Sequence, residues 1–177
     1  TGSVALDTWT DVRSRQDVTA LNIPFPYGRM PDNFARMMRR GYLAAIAYTD
    51  DQIGQVLGGL QEAGMEDNTI VSLVGDHGWA LGEHGAWAKY QVYEVATRVP
   101  TMIHVPGIPD IAGTSTNNFF ELVDLWPTLA DLAGIPVPPT CPPLPGALKV
   151  QICTDGASAA PMLRQPAGAP HKAAAFS

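Results

Sequence analysis

The chain has 177 residues, with 11 Lys and Arg against 17 Asp and Glu for a net charge of -6, 46% hydrophobic residues and two cysteines. A chain of that length buries roughly 70% of its unfolded surface, so one globular domain needs neither a disulfide framework nor a metal cluster to fold. The acidic balance excludes the electrostatic footprint of a nucleic-acid or anionic-membrane binder, and no run approaches the roughly 18 apolar residues of a membrane span, so a soluble chain is expected. The sequence opens at Thr1 with no initiator Met or signal peptide before it, the expectation for a processed chain or a piece of something longer.

Residues 1 to 30 hold Pro24, Pro26 and Gly28 and no sustained period of 2 or 3.6, the pattern of an extended opening segment with little regular structure. From Pro31 to Ala63, the residues Phe34, Met38, Tyr42, Leu43, Ile46, Ile53, Val56, Leu57 and Leu60 recur at helical spacings, which predicts one amphipathic helix. Asp32 or Asn33 is placed to cap its start and Gly64 to end it. Arg36, Arg39 and Arg40 on its early turns read as a solvated face rather than an anion site. Within Asn68 to Val74 the nearly unbroken run of Ile70, Val71, Leu73 and Val74 predicts a central parallel strand buried on both faces.

Pro100 to Val105 reads as a second strand of the same sheet, stopped by Pro106-Gly107. Asp124 to Ala133 predicts a short helix with Pro127 in its first turn, where a missing N–H costs nothing, and Gly134 just past its end. Helix, strand, loop, strand, helix is an α/β pattern, and there is no internal repeat. From Pro136 onward, nine of the sixteen prolines and many alanines leave almost no hydrophobic period, which predicts a Pro/Ala-rich coil. Cys141 and Cys153 lie in it. Close in sequence, with prolines around Cys141, they favour a disulfide over two free thiols, worth on the order of 3 kcal/mol by loop closure, and hence an oxidising compartment. No Asn-x-Ser/Thr sequon is present.

The densest polar cluster follows the first strand. Gly75 to Tyr90 contains Asp76, His77, Glu83, His84 and Lys89 with four glycines, at the carboxyl end of a strand, where open α/β sheets bind ligands. Asp76 offers a hard carboxylate oxygen suited to Ca²⁺ or Mg²⁺, and His77 a nitrogen for a metal or an anion. Neighbours in sequence reach one ion only if the chain turns at once on leaving the strand, which Gly78 permits. Lys89 is placed to neutralise an anionic substrate oxygen.

The string Gly75-Asp-His-Gly-x-x-Leu-Gly-Glu-His-Gly-x-Trp-x-Lys89 resembles the C-terminal signature of the type I sulfatases of the alkaline-phosphatase superfamily. Trp9 to Val18, Leu21-Asn22 before Pro26-Tyr-Gly28, Ala96-Thr-x-Val-Pro100, Val123 to Gly134 and Val137-Pro-Pro139 before a cysteine extend the similarity over roughly residues 8 to 153. The resemblance is fullest to members acting on 2-O-sulfated iduronate. It implies an alkaline-phosphatase-like α/β sandwich, here the C-terminal part of the catalytic domain: an opening segment over 1–30, a partial α/β domain over 31–135, and a coil over 136–177 with a Cys141–Cys153 loop. It implies that Asp76 and His77 are metal ligands of Ca²⁺ and that Lys89 is catalytic and holds the sulfate. His84, as a further catalytic residue, and Trp79, against the sugar, lie in the same loop. The cysteines match a disulfide pair of the family.

The implied substrate is a sulfated glycosaminoglycan, the terminal iduronate 2-O-sulfate of heparan and dermatan sulfate, and the implied setting is the lysosome or secretory pathway. The family's nucleophile is a formylglycine made from the cysteine of Cys-x-Pro-x-Arg, and its paired N-terminal aspartates complete the Ca²⁺ shell. Neither is found in these 177 residues, and Asp50-Asp51 sit inside the long helix as surface. The remaining sulfatase polypeptide is therefore an expected partner. Two other readings stand beside this one: a hydrolase of another sulfate, phosphate or phosphonate ester, and a non-catalytic sulfatase-like module.

Overall fold

A computed structural model describes residue 16 and residues 30–89, 91–108, 112–143, 152–165 and 171–176. The opening segment, apart from Gln16 and Met30, lies outside the described residues, as does Tyr90. In chain order the elements are α1 (Asp32–Glu62), β1 (Val71–Val74), β2 (Ala80–Leu81), β3 (Trp87–Ala88), α2 (Glu94–Thr97), β4 (Thr101–His104), α3 (Leu125–Leu132) and α4 (Ala160–Arg164), with 3₁₀ turns at Glu66–Asn68, Glu83–Gly85 and Leu122–Asp124. The described parts of 1–64 and 74–101 form one compact unit, and those of 65–73 and 102–177 form another.

In the first unit, α1 is one uninterrupted helix of 31 residues, as the apolar period predicts. Its cap is Pro31 rather than Asp32 or Asn33. The Pro31 carbonyl accepts the Ala35 N–H at 2.9 Å, and Asp32 falls one position inside, where its charge meets the positive end of the helix dipole. Gly64, at φ +63, turns the chain out of the helix. The buried core here is Met30, Phe34, Ala35 and Trp87, with Met38 and Leu81 packed against it. Only the first turns of α1 are covered in this way; Leu43, Ile46, Val56 and Leu57 farther along are exposed.

Trp87 reaches that core from a tight antiparallel hairpin in which Ala80 pairs with Ala88 and Leu81 with Trp87. The turn between β2 and β3 needs left-handed backbone, supplied by Gly82 (φ +114) and Gly85 (φ +73) and, at a conformational cost, by His84 (φ +55). Glu83 reaches back to accept the Leu81 N–H at 2.6 Å, and the Gly82 and Ala86 N–H groups close the turn on the Ala86 and Glu83 carbonyls.

β1 and β4 are neighbours in a two-stranded sheet, with Val71–Leu73 and Met102–His104 counted in the second unit. The expectation of a strand buried on both faces is corrected: Ser72 and Leu73 in β1 and Met102 in β4 are exposed. An apolar run reports that a strand prefers burial; covering both faces takes more layers than these residues contribute. α3 follows its 3₁₀ turn with Pro127 buried in the first turn. It ends where Gly134 (φ +70) donates to the Asp131 carbonyl and Ile135 to the Ala130 carbonyl, the paired bonds of a glycine-terminated helix.

The stretch read as coil is more ordered than its composition suggests. Cys141 and Cys153 are bonded, and Thr140 bridges Thr154 beside them. Gly156 lies so close to Val123 that an added Cβ would stand 2.0 Å from its carbonyl oxygen. Ala160–Arg164 forms a helix. The completely buried Asp124 accepts from the Ala157 amide at 2.8 Å and from Lys172 at 2.8 Å, and lies 3.2 Å from His171 Nε2. Lys172 also pairs with Glu121. Burial pushes the Asp124 carboxyl up, but the hydrogen bonds of Lys172, the Ala157 and Glu121 amides and His171 outweigh it and hold it below its ordinary value. Glu121 is lowered chiefly by its bond from Lys172. For Lys172, burial pulls down and the two carboxylates push up, with a net rise.

Candidate functional site

The chain leaves β1 at Val74 and bends through Asp76 and His77. Two glycines pin that bend to α2 and the segment after it: the Gly78 N–H donates to the Ala96 carbonyl at 2.8 Å and the Gly75 N–H to the Pro100 carbonyl at 3.1 Å. Gly78 is required by proximity. A Cβ there would lie 2.0 Å from the Val95 carbonyl oxygen, far inside contact distance, so the backbone passes where no side chain fits.

Three of the predicted residues converge. His77 Nδ1 lies 2.9 Å from the Gly78 carbonyl oxygen, which can only accept, so Nδ1 carries the proton and Nε2 the lone pair. Lys89 Nζ donates to that lone pair at 2.9 Å. Asp76 Oδ2 stands 3.4 Å from the same nitrogen, on a side chain 88% exposed against 31% for His77. Lys89 is brought back to His77 by the hairpin and by a kink at Ala88, whose φ of +70 is unusual for a residue with a side chain. Strained backbone of this kind gathers at functional sites.

The donor geometry suits part of a divalent cation's shell. The exposed Asp76 carboxylate offers a hard oxygen, and His77 Nε2 lies 3.4 Å from it. Ca²⁺ takes six to eight ligands, and the described residues contain no group of three or more His, Cys, Asp or Glu side chains placed to hold a metal. Asp76 and His77 are thus two adjacent donors of the several that such a site requires.

Trp79 lies beside this centre, its ring 6.2 Å from that of His77. His84 is placed differently from the triad. It is exposed on the hairpin turn and stacks on Tyr93 at 4.4 Å. Sequence reasoning missed Arg39. Exposed like Arg36 and Arg40, it nonetheless donates through Nε to the Leu81 carbonyl at 2.8 Å and lies over the Trp87 ring at 5.4 Å. It stands one turn beyond the buried Ala35, on the face of α1 that carries the core.

The sequence model of the family described as Sulfatase matches residues 7–135. The chain is 46% identical to iduronate 2-sulfatase of Mus musculus and 42% identical to that of Homo sapiens, in each case over 86% of this chain and 32% of the relative. A choline-sulfatase of Rhizobium meliloti is 40% identical over 72% of this chain and 22% of its own length. Among solved structures, that of BT4656 in complex with its substrate D-glucosamine-2-N,6-O-disulfate superposes with a TM-score of 0.63 and 29% identity, over 90% of this chain and 29% of that one. The chain spans about a third of the length of the iduronate 2-sulfatases that it matches. No helix among the described residues is long and apolar enough to cross a membrane. With its motif loop, its α/β architecture and these matches taken together, the chain belongs to the sulfatase family, with the alkaline-phosphatase-like fold.

Proposed function

We propose that this chain supplies the cation-binding and sulfate-binding part of a sulfate ester hydrolase acting on sulfated glycosaminoglycans, with the 2-O-sulfate of terminal iduronate in heparan and dermatan sulfate as its substrate. The similarity to the iduronate 2-sulfatases supports the substrate. The roles are carried by one observation, the convergence of Asp76, His77 and Lys89 around His77 Nε2.

In this reading Asp76 and His77 are two ligands of a Ca²⁺ ion, which when bound polarises the sulfate oxygens. Lys89 holds the sulfate and the negative charge that develops on it. Lys89 here donates to the His77 Nε2 lone pair; its flexible stem would let it turn toward a sulfate when His77 holds the cation. Trp79 offers a ring face to the sugar. His84, steadied by Tyr93, is a further polar group toward the reacting ester. The nucleophile, a formylglycine by family resemblance, comes from the remaining sulfatase polypeptide, and the setting is the lysosome or secretory pathway. The similarity to a choline-sulfatase supports a second reading, in which the same loop serves a different sulfate ester.

Lys89→Ala in the full-length enzyme is expected to lower kcat by about 10²- to 10³-fold with an unchanged thermal midpoint. Asp76→Asn is expected to weaken Ca²⁺ binding in calorimetry as well as turnover. Wild-type turnover in Lys89→Ala contradicts the reading. Assaying iduronate 2-sulfate against choline sulfate separates the two substrates.

A further inference from the structure

Arg39 touches none of the reacting groups, yet it touches both strands and the turn of the hairpin that carries them. Its Nε–H donates to the carbonyl of Leu81 in β2, its guanidinium covers the indole of Trp87 in β3, and its terminal nitrogen fills the space beside Gly82, where an added Cβ would stand 2.6 Å away. Leu81 and Trp87 are paired residues. One side chain from α1 therefore fixes the hairpin at a single rung. One end of that hairpin continues into Gly78 and His77, and the other into Lys89.

We infer that Arg39 is a positioning residue: by clamping the Leu81–Trp87 rung it sets where Lys89 stands relative to His77. The hairpin cannot set this alone. It has two paired residues per strand, and so short a ribbon is marginal without outside packing. Its exit is the kinked Ala88, where a small rotation at the rung becomes a displacement of the Lys89 ammonium. Lysine in place of Arg39 keeps a charge above Trp87 but lacks the planar fork that donates sideways to Leu81 while stacking. The inference rests on the role proposed for Lys89.

The test is a double-mutant cycle in the full-length enzyme, with steady-state kinetics on a sulfate ester and a thermal midpoint for every variant. Arg39→Ala is expected to lower kcat/KM about 10²-fold, the scale of a misplacement near 1 Å, and Arg39→Lys to recover only part of it. In the Lys89→Ala background, Arg39→Ala is expected to add almost nothing, because the group it positions is gone. If the two losses multiply, Arg39 acts by some other route and the proposal is overturned while the reading of Lys89 stands. If Lys89→Ala alone keeps wild-type turnover, both fall. Should Arg39→Ala fail to fold, Arg39→Met, which keeps an apolar stem on Trp87 and removes the donor to Leu81, carries the same cycle.

Discussion

The 2.0 Å gap between a Cβ built on Gly78 and the Val95 carbonyl oxygen makes that residue the least replaceable in the motif loop. Gly78→Ala forces either the Asp76–His77 bend or the backbone at Val95 to move, and overpacking of this kind costs about 3 kcal/mol. Chemical unfolding of the full-length variant checks it, with the loss of turnover exceeding that expected from the unfolded fraction. At this scale the identities of Asp76, His77 and Lys89 were legible, because a dense motif at a strand end names its own residues. Gly78 was legible as a glycine for the wrong reason: it suggested a turn, whereas the need is close passage of two backbone segments far apart in sequence. Arg39 was illegible because a local charge pattern on a helix says nothing about what arrives 42 residues later to accept its hydrogen bond.

The C-terminal ends of the helices were the best-read features of the fold. Gly64 and Gly134 both sit at positive φ just past their helices, as their place after an apolar period predicts. Since the cost of a side chain in left-handed backbone is a property of the residue itself, Gly134→Ala is expected to destabilise by about 1 kcal/mol with m unchanged in urea titration. An equal midpoint would show that α3 ends by another route. The periods of α1, β1 and β4 likewise gave their types and nearly their limits. Burial did not follow in the same way. Leu43, Ile46, Val56 and Leu57 keep a helical period while exposed, because periodicity records the face that a helix presents, and covering it depends on other segments.

Across the molecule, the cluster that joins the C-terminal segment to the turn before α3 was invisible in sequence. Its bonds link Asp124 to His171 and Lys172 and Glu121 to Lys172, over separations of 47 residues and more, and no periodicity spans that distance. Lys172→Met leaves the buried Asp124 carboxylate short of its main counter-charge, and a loss of about 3 kcal/mol is expected. The cluster also fixes a pH window. Carboxylates lowered from ordinary values of 4.5 and 3.8 contribute stability that is complete above about pH 4.5 and is lost as pH falls through their folded values. A lysine raised from 10.5 contributes below that value and loses it as pH rises through the higher one. The stability gap between wild type and Lys172→Met is thus expected to shrink in strong acid, as pH falls through the lowered folded values of the two carboxylates. A gap that widens on acidification would assign the effect to a different group.

The Cys141–Cys153 bond closes a loop between residues 12 apart in sequence. Peptide-bond cleavage anywhere between the two cysteines therefore yields two polypeptides still joined through sulfur, migrating as one species until reduced. Even after reduction the pieces share a short ladder, in which Cys141 donates to the Thr154 carbonyl and Thr154 to that of Pro139, and the grip of Lys172 and His171 on Asp124. A nicked protein would keep its C-terminal segment covalently attached until the disulfide is reduced.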